Sequence, residues 1–204
     1  MRQARRNARI WVGITLAVGC IATTHADVSQ HKIACTADDE TAAKSAINNA
    51  QKALQVAIDS FRSPSPAVVA KQLKWFGPLD STVAGQVQKV YESSLGMASF
   101  TVVWCPVQNN LDFAWDIGDL AAVHPNEHGA IFLTPKFFKL NTEGEDSQRG
   151  TLVHELTHVT GLGLKPEVYG TKDAKALAKS NAAHARKNSD NYQYYVEDLI
   201  FGLP

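Results

Sequence analysis

The sequence predicts an α+β fold, mainly helical with a small sheet. Three observations predict it. Apolar residues recur at three- and four-residue spacing towards both ends of the chain, as in helices with one buried face. Between residues 100 and 134 the pattern changes to short runs of β-branched and aromatic residues, which suit strands. No internal repeat or long linker divides the 204 residues, a length that fits one domain with a full core.

Each element follows from local chemistry. Residues 38–61 are an expected helix, in which Ile47, Leu54, Ile58 and Phe61 share a spacing among many alanines. Ser63-Pro64-Ser65-Pro66 ends it. A short amphipathic piece runs to Trp75-Phe76-Gly77-Pro78, and residues 79–95 repeat the helical pattern through Val83, Val87, Val90, Tyr91 and Leu95. Phe100 to Cys105 is the first expected strand; Phe113–Ile117, Ala121–His124 and Ala130–Thr134 are the others, with Pro125–Gly129 as the turn between the last two. Residues 147–160 return to a helical pattern. Leu152, Val153, Leu156 and Val159 give it an apolar side, so a half-buried helix is expected, ended by Gly161 and Gly163. Thr171 is expected to cap a further helix to Lys187, and a last helix covers Asn191–Leu199.

The formal net charge is zero, with 45% apolar and 20% charged residues. Arg2, Arg5, Arg6 and Arg9 precede every acidic residue, which leaves 16 Lys and Arg against 20 Asp and Glu in the remainder. That mildly acidic body gives no electrostatic case for nucleic acid. The basic start, the apolar run 10–22 and Thr24-His25-Ala26 read as an export signal over residues 1–26, followed by one domain over 27–204. A secreted or periplasmic protein is expected, without stable membrane association once the signal is removed. An uncleaved anchor and lipidation at Cys20 are the alternatives. With Cys20 removed, Cys35 and Cys105 form an even pair, which suggests one disulfide in an exported protein.

The informative stretch is His154-Glu155-Leu156-Thr157-His158. A helix turns once per 3.6 residues, so imidazoles at i and i+4 share a face and can bind one zinc ion. Glu155, beside the first imidazole, is placed to act as general base on a water that zinc acidifies toward a pKa of about 7. A chance match to this pattern arises in about one such sequence in a hundred. His124-Pro125-Asn126-Glu127-His128 resembles the inverted zinc pattern, but its proline and the following glycine predict a turn that does not set the histidines on one helical face. His184 is expected to be solvated.

Several segments together resemble the deuterolysin family, the aspzincins, and within it the peptidyl-Lys metalloendopeptidases. They are Cys35 with its Ala-rich helix, Trp75-Phe76-Gly77, Cys105 after a strand, and Ala122-Val123-His124-Pro125-Asn126. Residues Gly144 to Thr151 ahead of the zinc motif, Tyr169-Gly170, Leu177 to Asn181 and Asn188 to Tyr192 complete the likeness. The resemblance implies a zincin-like fold and a secreted zinc endopeptidase acting on proteins or peptides. It also implies a Cys35–Cys105 bond and a Tyr169 hydroxyl that stabilises the oxyanion.

The third ligand is where the chain departs. The family has an aspartate three residues before the Tyr-Gly pair; here that position is Pro166. Glu167 is the expected replacement, with Asp173 as the alternative. Lysine preference requires a carboxylate in the pocket for the residue after the cut. Asp190 stands in the family's acidic segment and is expected there, its other possible role being a helix N-cap; Gln193 stands where a second acid would help. About eight residues separate the expected signal cut from Cys35, so export itself or a separate inhibitor is expected to restrain activity. Two other functions stay open: a zinc-binding scaffold with weak catalysis, and a zinc amidase acting on cell-wall peptides.

Overall fold

The computed structural model describes residues 35–105, 120–123, 129–162 and 166–204. The described residues begin with three helices, α1 (Ala37–Arg62), α2 (Pro66–Phe76) and α3 (Ser81–Ala98). Thr36, Ser65 and Asp80 cap them by accepting backbone N–H groups of the first turn, and Pro66 opens α2 where its missing N–H costs nothing. Strands β1 (Val102–Trp104), β2 (Ala121–Val123) and β3 (Ala130–Leu133) follow. After a 3-10 turn at Phe137–Lys139 come α4 (Gln148–Val159), α5 (Thr171–Ser180), α6 (Ala182–Ala185) and α7 (Ser189–Phe201). Among the described residues this is the expected α+β architecture, mainly helical with a small sheet.

The sheet has the order β1-β3-β2. β1 runs parallel to β3, with Val102 opposite Ala130, and β2 runs antiparallel to it, with Ala121 opposite Leu133. The central strand, Ala-Ile-Phe-Leu, is buried throughout, which explains its lack of polar alternation. The expected strand Phe113–Ile117, residues 125–128 of the expected turn and the export signal lie outside the described residues.

The core joins α1, α2 and α3 to α7 through aromatic rings. Phe76 meets Tyr192 at 5.0 Å and Tyr195 at 5.2 Å between ring centres, both edge-on. The buried Tyr91 hydroxyl donates to the Tyr192 carbonyl at 3.0 Å. Asp198, also buried, accepts from Trp75 Nε1 at 2.8 Å and pairs with Lys71 Nζ at 2.9 Å, so α2 and α7 are tied by a satisfied charge. No helix among the described residues is long and apolar enough to cross a membrane.

Four local expectations are corrected. α4 is not half-buried: every residue from Gln148 to Thr157 is buried, because α1, α3, α7 and β2 surround it. The helix after Gly170 stops at Ser180. Asn181 turns the chain and accepts the His184 N–H, the local side-chain competition that makes Asn a poor interior helix residue. Gly170, not Thr171, holds the cap position of α5, with no side-chain cap. His184 is part-buried, and its enclosed Nε2 has no hydrogen-bond partner.

Cys35 and Cys105 are bonded across 70 residues, tying the entry to α1 to the end of β1. Replacing both with serine is expected to lower the unfolding free energy by about 2–4 kcal/mol. Urea denaturation reads this directly, and an unchanged midpoint would show that the bond does not support the fold.

Candidate metal centre

The site is built on α4. Ser147 caps this helix by accepting the Gly150 N–H at 3.1 Å, and the regular turn then sets His154 and His158 on one face. Their Nε2 atoms face each other 3.0 Å apart. Glu167 reaches the same point from the segment between α4 and α5. Its Oε1 lies 3.7 Å from His154 Nε2 and 3.5 Å from His158 Nε2. These three residues form the group of possible cation ligands among the described residues, with all three ligand atoms within 4.8 Å of one another.

Each donor is held from behind. His154 Nδ1–H donates to Asp190 Oδ1 at 2.8 Å, and His158 Nδ1–H donates to the Leu162 carbonyl at 3.0 Å. With both Nδ1 atoms engaged, the Nε2 atoms are left to face the shared point, where a cation would take the place of a proton. Leu162 can do this because Gly161, at φ 83°, ends α4 in a left-handed turn, with Gly161 N–H on the His158 carbonyl and Leu162 N–H on that of Thr157. Glu167 Oε2 accepts from the Tyr169 hydroxyl at 2.9 Å, and Oε1 accepts from the Ser189 N–H at 3.4 Å. Its segment is pinned by a reciprocal pair: Val168 N–H to Asn188 Oδ1 at 2.9 Å, and Asn188 Nδ2 to the Val168 carbonyl at 2.8 Å.

The electrostatics favour positive charge. Burial alone would lower the His154 pKa, but the hydrogen bond to Asp190 and the charges of Glu155, Asp190 and Glu167 push it up to about 9. Burial would raise Glu167, yet the two histidines and the hydrogen bonds from Tyr169 and Ser189 hold it below the usual carboxylate range. Two imidazole nitrogens and a carboxylate oxygen, each fixed by an outer partner, are the donor set of a catalytic zinc site. The residues therefore fit the ion that the motif implies.

The structure brings together His154, Glu155, His158, Glu167 and Tyr169. Glu155 is 6% exposed and lies beside His154 on α4. Tyr169 is 60% exposed, and its ring stacks on His154 with 6.1 Å between centres. Pro166, in the position of the family's aspartate, is exposed, whereas the Glu167 side chain is 2% exposed. Asp173 is exposed in the first turn of α5 and does not join the ligand group.

Asp190 stands differently from the expected pocket charge. It is 4% exposed, and both its oxygens are engaged, Oδ1 by His154 and Oδ2 by the Gly170 N–H at 2.6 Å. It does not cap α7, whose cap position is held by Asn188. Gln193 turns from the site, its amide donating to Asp146 Oδ1 at 3.4 Å. His124 and His128 lie outside the described residues. Sequence reasoning missed the Leu162 carbonyl, Ser189 and Asn188. It also missed a polar stripe on α7 made by Asp190, Gln193, Tyr194 and Glu197. Their i, i+3, i+4, i+7 spacing was the available signal.

Comparison with known proteins gives the family and the fold. The sequence model of the aspzincin family, described as lysine-specific metallo-endopeptidase, matches residues 67–197. A peptidyl-Lys metalloendopeptidase of Armillaria mellea is 34% identical over 167 residues, 80% of this chain and 45% of that protein. One from Pleurotus ostreatus is 30% identical over 169 residues, 81% of this chain and 95% of that protein. The chain thus spans about half the length of the Armillaria relative. A solved zinc peptidase from Grifola frondosa superposes with a TM-score of 0.69 at 28% identity, covering 82% of this chain and 99% of that one. The expected zincin-like fold is thereby met, and the chain belongs to the aspzincin family.

Proposed function

We propose that this chain is an exported zinc endopeptidase. The observation that carries the reading is the convergence of His154, His158 and Glu167 on one point, each with an outer partner. Bound there, zinc would supply Lewis acidity, acidifying a water and polarising a peptide carbonyl. Asp190 and the Leu162 carbonyl hold the Nδ1 protons, which keeps both Nε2 atoms available as donors. Glu155 takes a proton at its carboxylate and returns it to the leaving amine. Tyr169 stands at the exposed rim, where its hydroxyl, which donates to Glu167 Oε2 in this structure, would turn to donate to the developing oxyanion.

Export is supported by the three-part start of the sequence and by the disulfide, which suits an oxidising compartment. Preference for lysine is supported by what the Armillaria and Pleurotus proteins are called.

The test uses purified exported protein, with bound zinc measured and a denatured protein substrate digested and read by mass spectrometry. Stoichiometric zinc with cuts that stop on chelation is the expected result, and the residues flanking the cuts decide the lysine preference. Zinc without cuts would replace this reading by the binding scaffold or the cell-wall amidase.

A further inference from the structure

A second carboxylate of α7 grips α4 at the end away from the histidines. Glu197 is fully buried. Its Oε1 accepts the Ser147 N–H at 3.3 Å, the Ser147 hydroxyl at 3.2 Å and the Gln193 amide at 3.5 Å. Its Oε2 accepts the Asp146 N–H at 3.3 Å. These N–H groups lead into the N-terminus of α4, where a negative charge is favoured by the helix dipole. The approach is close: a Cβ at Gly150 would stand 1.8 Å from Glu197 Oε1. Asp146, at φ 52°, is anchored in turn by the Tyr194 hydroxyl, which donates to its Oδ1 at 2.7 Å.

α4 and α7 are therefore locked at two points. Glu197 meets Ser147 and Gly150, and one helical turn beyond Gly150, Asp190 meets His154. Seven residues separate the two carboxylates, two turns of α7, so both lie on the face that touches α4. We propose that Glu197 is a positioning residue for the metal centre: its anion at the start of α4 sets the axial register of α4 against α7, and so the fit of His154 to Asp190. The inference rests on the zinc reading of the site. Burial pushes the Glu197 carboxyl up to about 7 although Ser147 and Asp146 donate to it, so the anion prevails only above neutral pH, and the comparison with glutamine belongs there. Glutamine keeps the shape but loses the charge, and sets an N–H₂ against N–H donors that now meet a carboxylate.

The test compares the full chain with its Glu197→Gln variant. Zinc affinity is measured by chelator competition, and the visible absorption of the cobalt-substituted protein reports ligand geometry. Glu197→Gln is expected to bind zinc about tenfold more weakly, as loss of an outer partner does, with an altered cobalt band. Asp80→Ala, which removes the exposed cap of α3 and touches neither Glu197 nor its partners, is the control for general destabilisation. It should melt earlier with an unchanged cobalt band. If Glu197→Gln does not fold, Gln193→Met removes one donor to Glu197, leaves the Ser147 cap of α4 in place, and should move both readouts in the same direction, by less. Unchanged affinity and band in the variant that folds, or an equal change in Asp80→Ala, would overturn the proposal. A parent protein that takes up neither cation would instead sink the zinc reading, and this inference with it.

Discussion

Glu155→Gln is expected to lower turnover by about 10²–10⁴-fold while leaving bound zinc unchanged. Glutamine matches glutamate in shape, so packing at this buried position is kept. What is lost is the ability to take a proton and return it. Zinc retention follows because Glu155 is not among the three converging ligands. The measurement is zinc content and kcat on the same preparation. Loss of zinc together with turnover would show that Glu155 supports the metal centre rather than the chemistry. Full activity with zinc bound would remove the general base from the mechanism and move the proton transfer elsewhere.

Glu167→Ala is expected to weaken zinc binding by more than the roughly 10–100-fold that an outer partner contributes, because a direct ligand is removed. The reason is electrostatic as well as geometric. Two neutral imidazoles leave the charge of a divalent ion to nearby carboxylates, and Glu167 is the one whose oxygen faces both Nε2 atoms. Asp173→Asn serves as the comparison, since that residue is exposed on α5. It should leave zinc affinity unchanged. The reverse pattern, with affinity lost in Asp173→Asn and kept in Glu167→Ala, would require the segment after residue 162 to rearrange around the metal. Equal affinity in both variants would reduce the ligands from the protein to the two histidines.

Much of this was legible because it is local. Helical spacing sets His154, Glu155 and His158 on one turn whatever surrounds them, and two imidazoles at i and i+4 carry their own chemical meaning. The caps of α1, α2 and α3 and the three short strands are likewise products of neighbouring residues. The Cys35–Cys105 bond was legible for a different reason: with Cys20 inside the expected export signal, these two are the remaining pair.

What depended on distant parts of the chain was not legible. Sequence could place Glu167 and Asp173 on either side of Tyr169, but the choice rests on Asn188 clamping Val168 and on the Ser189 N–H, both from α7. Asp190 carries the same charge in a substrate pocket or behind an imidazole. Only the approach of α7 to α4 puts its oxygens on His154 and Gly170. The burial of α4 has the same cause, since its polar face is covered by the polar stripe of α7 rather than by water. The sequence by itself determined that His154, Glu155 and His158 share one helical turn, through the fixed 3.6-residue period of a helix. The tertiary structure alone decided which carboxylate joins the two histidines and that Asp190 stands behind His154, because the contacts that fix both join residues 20 to 36 positions apart, beyond the reach of any local rule.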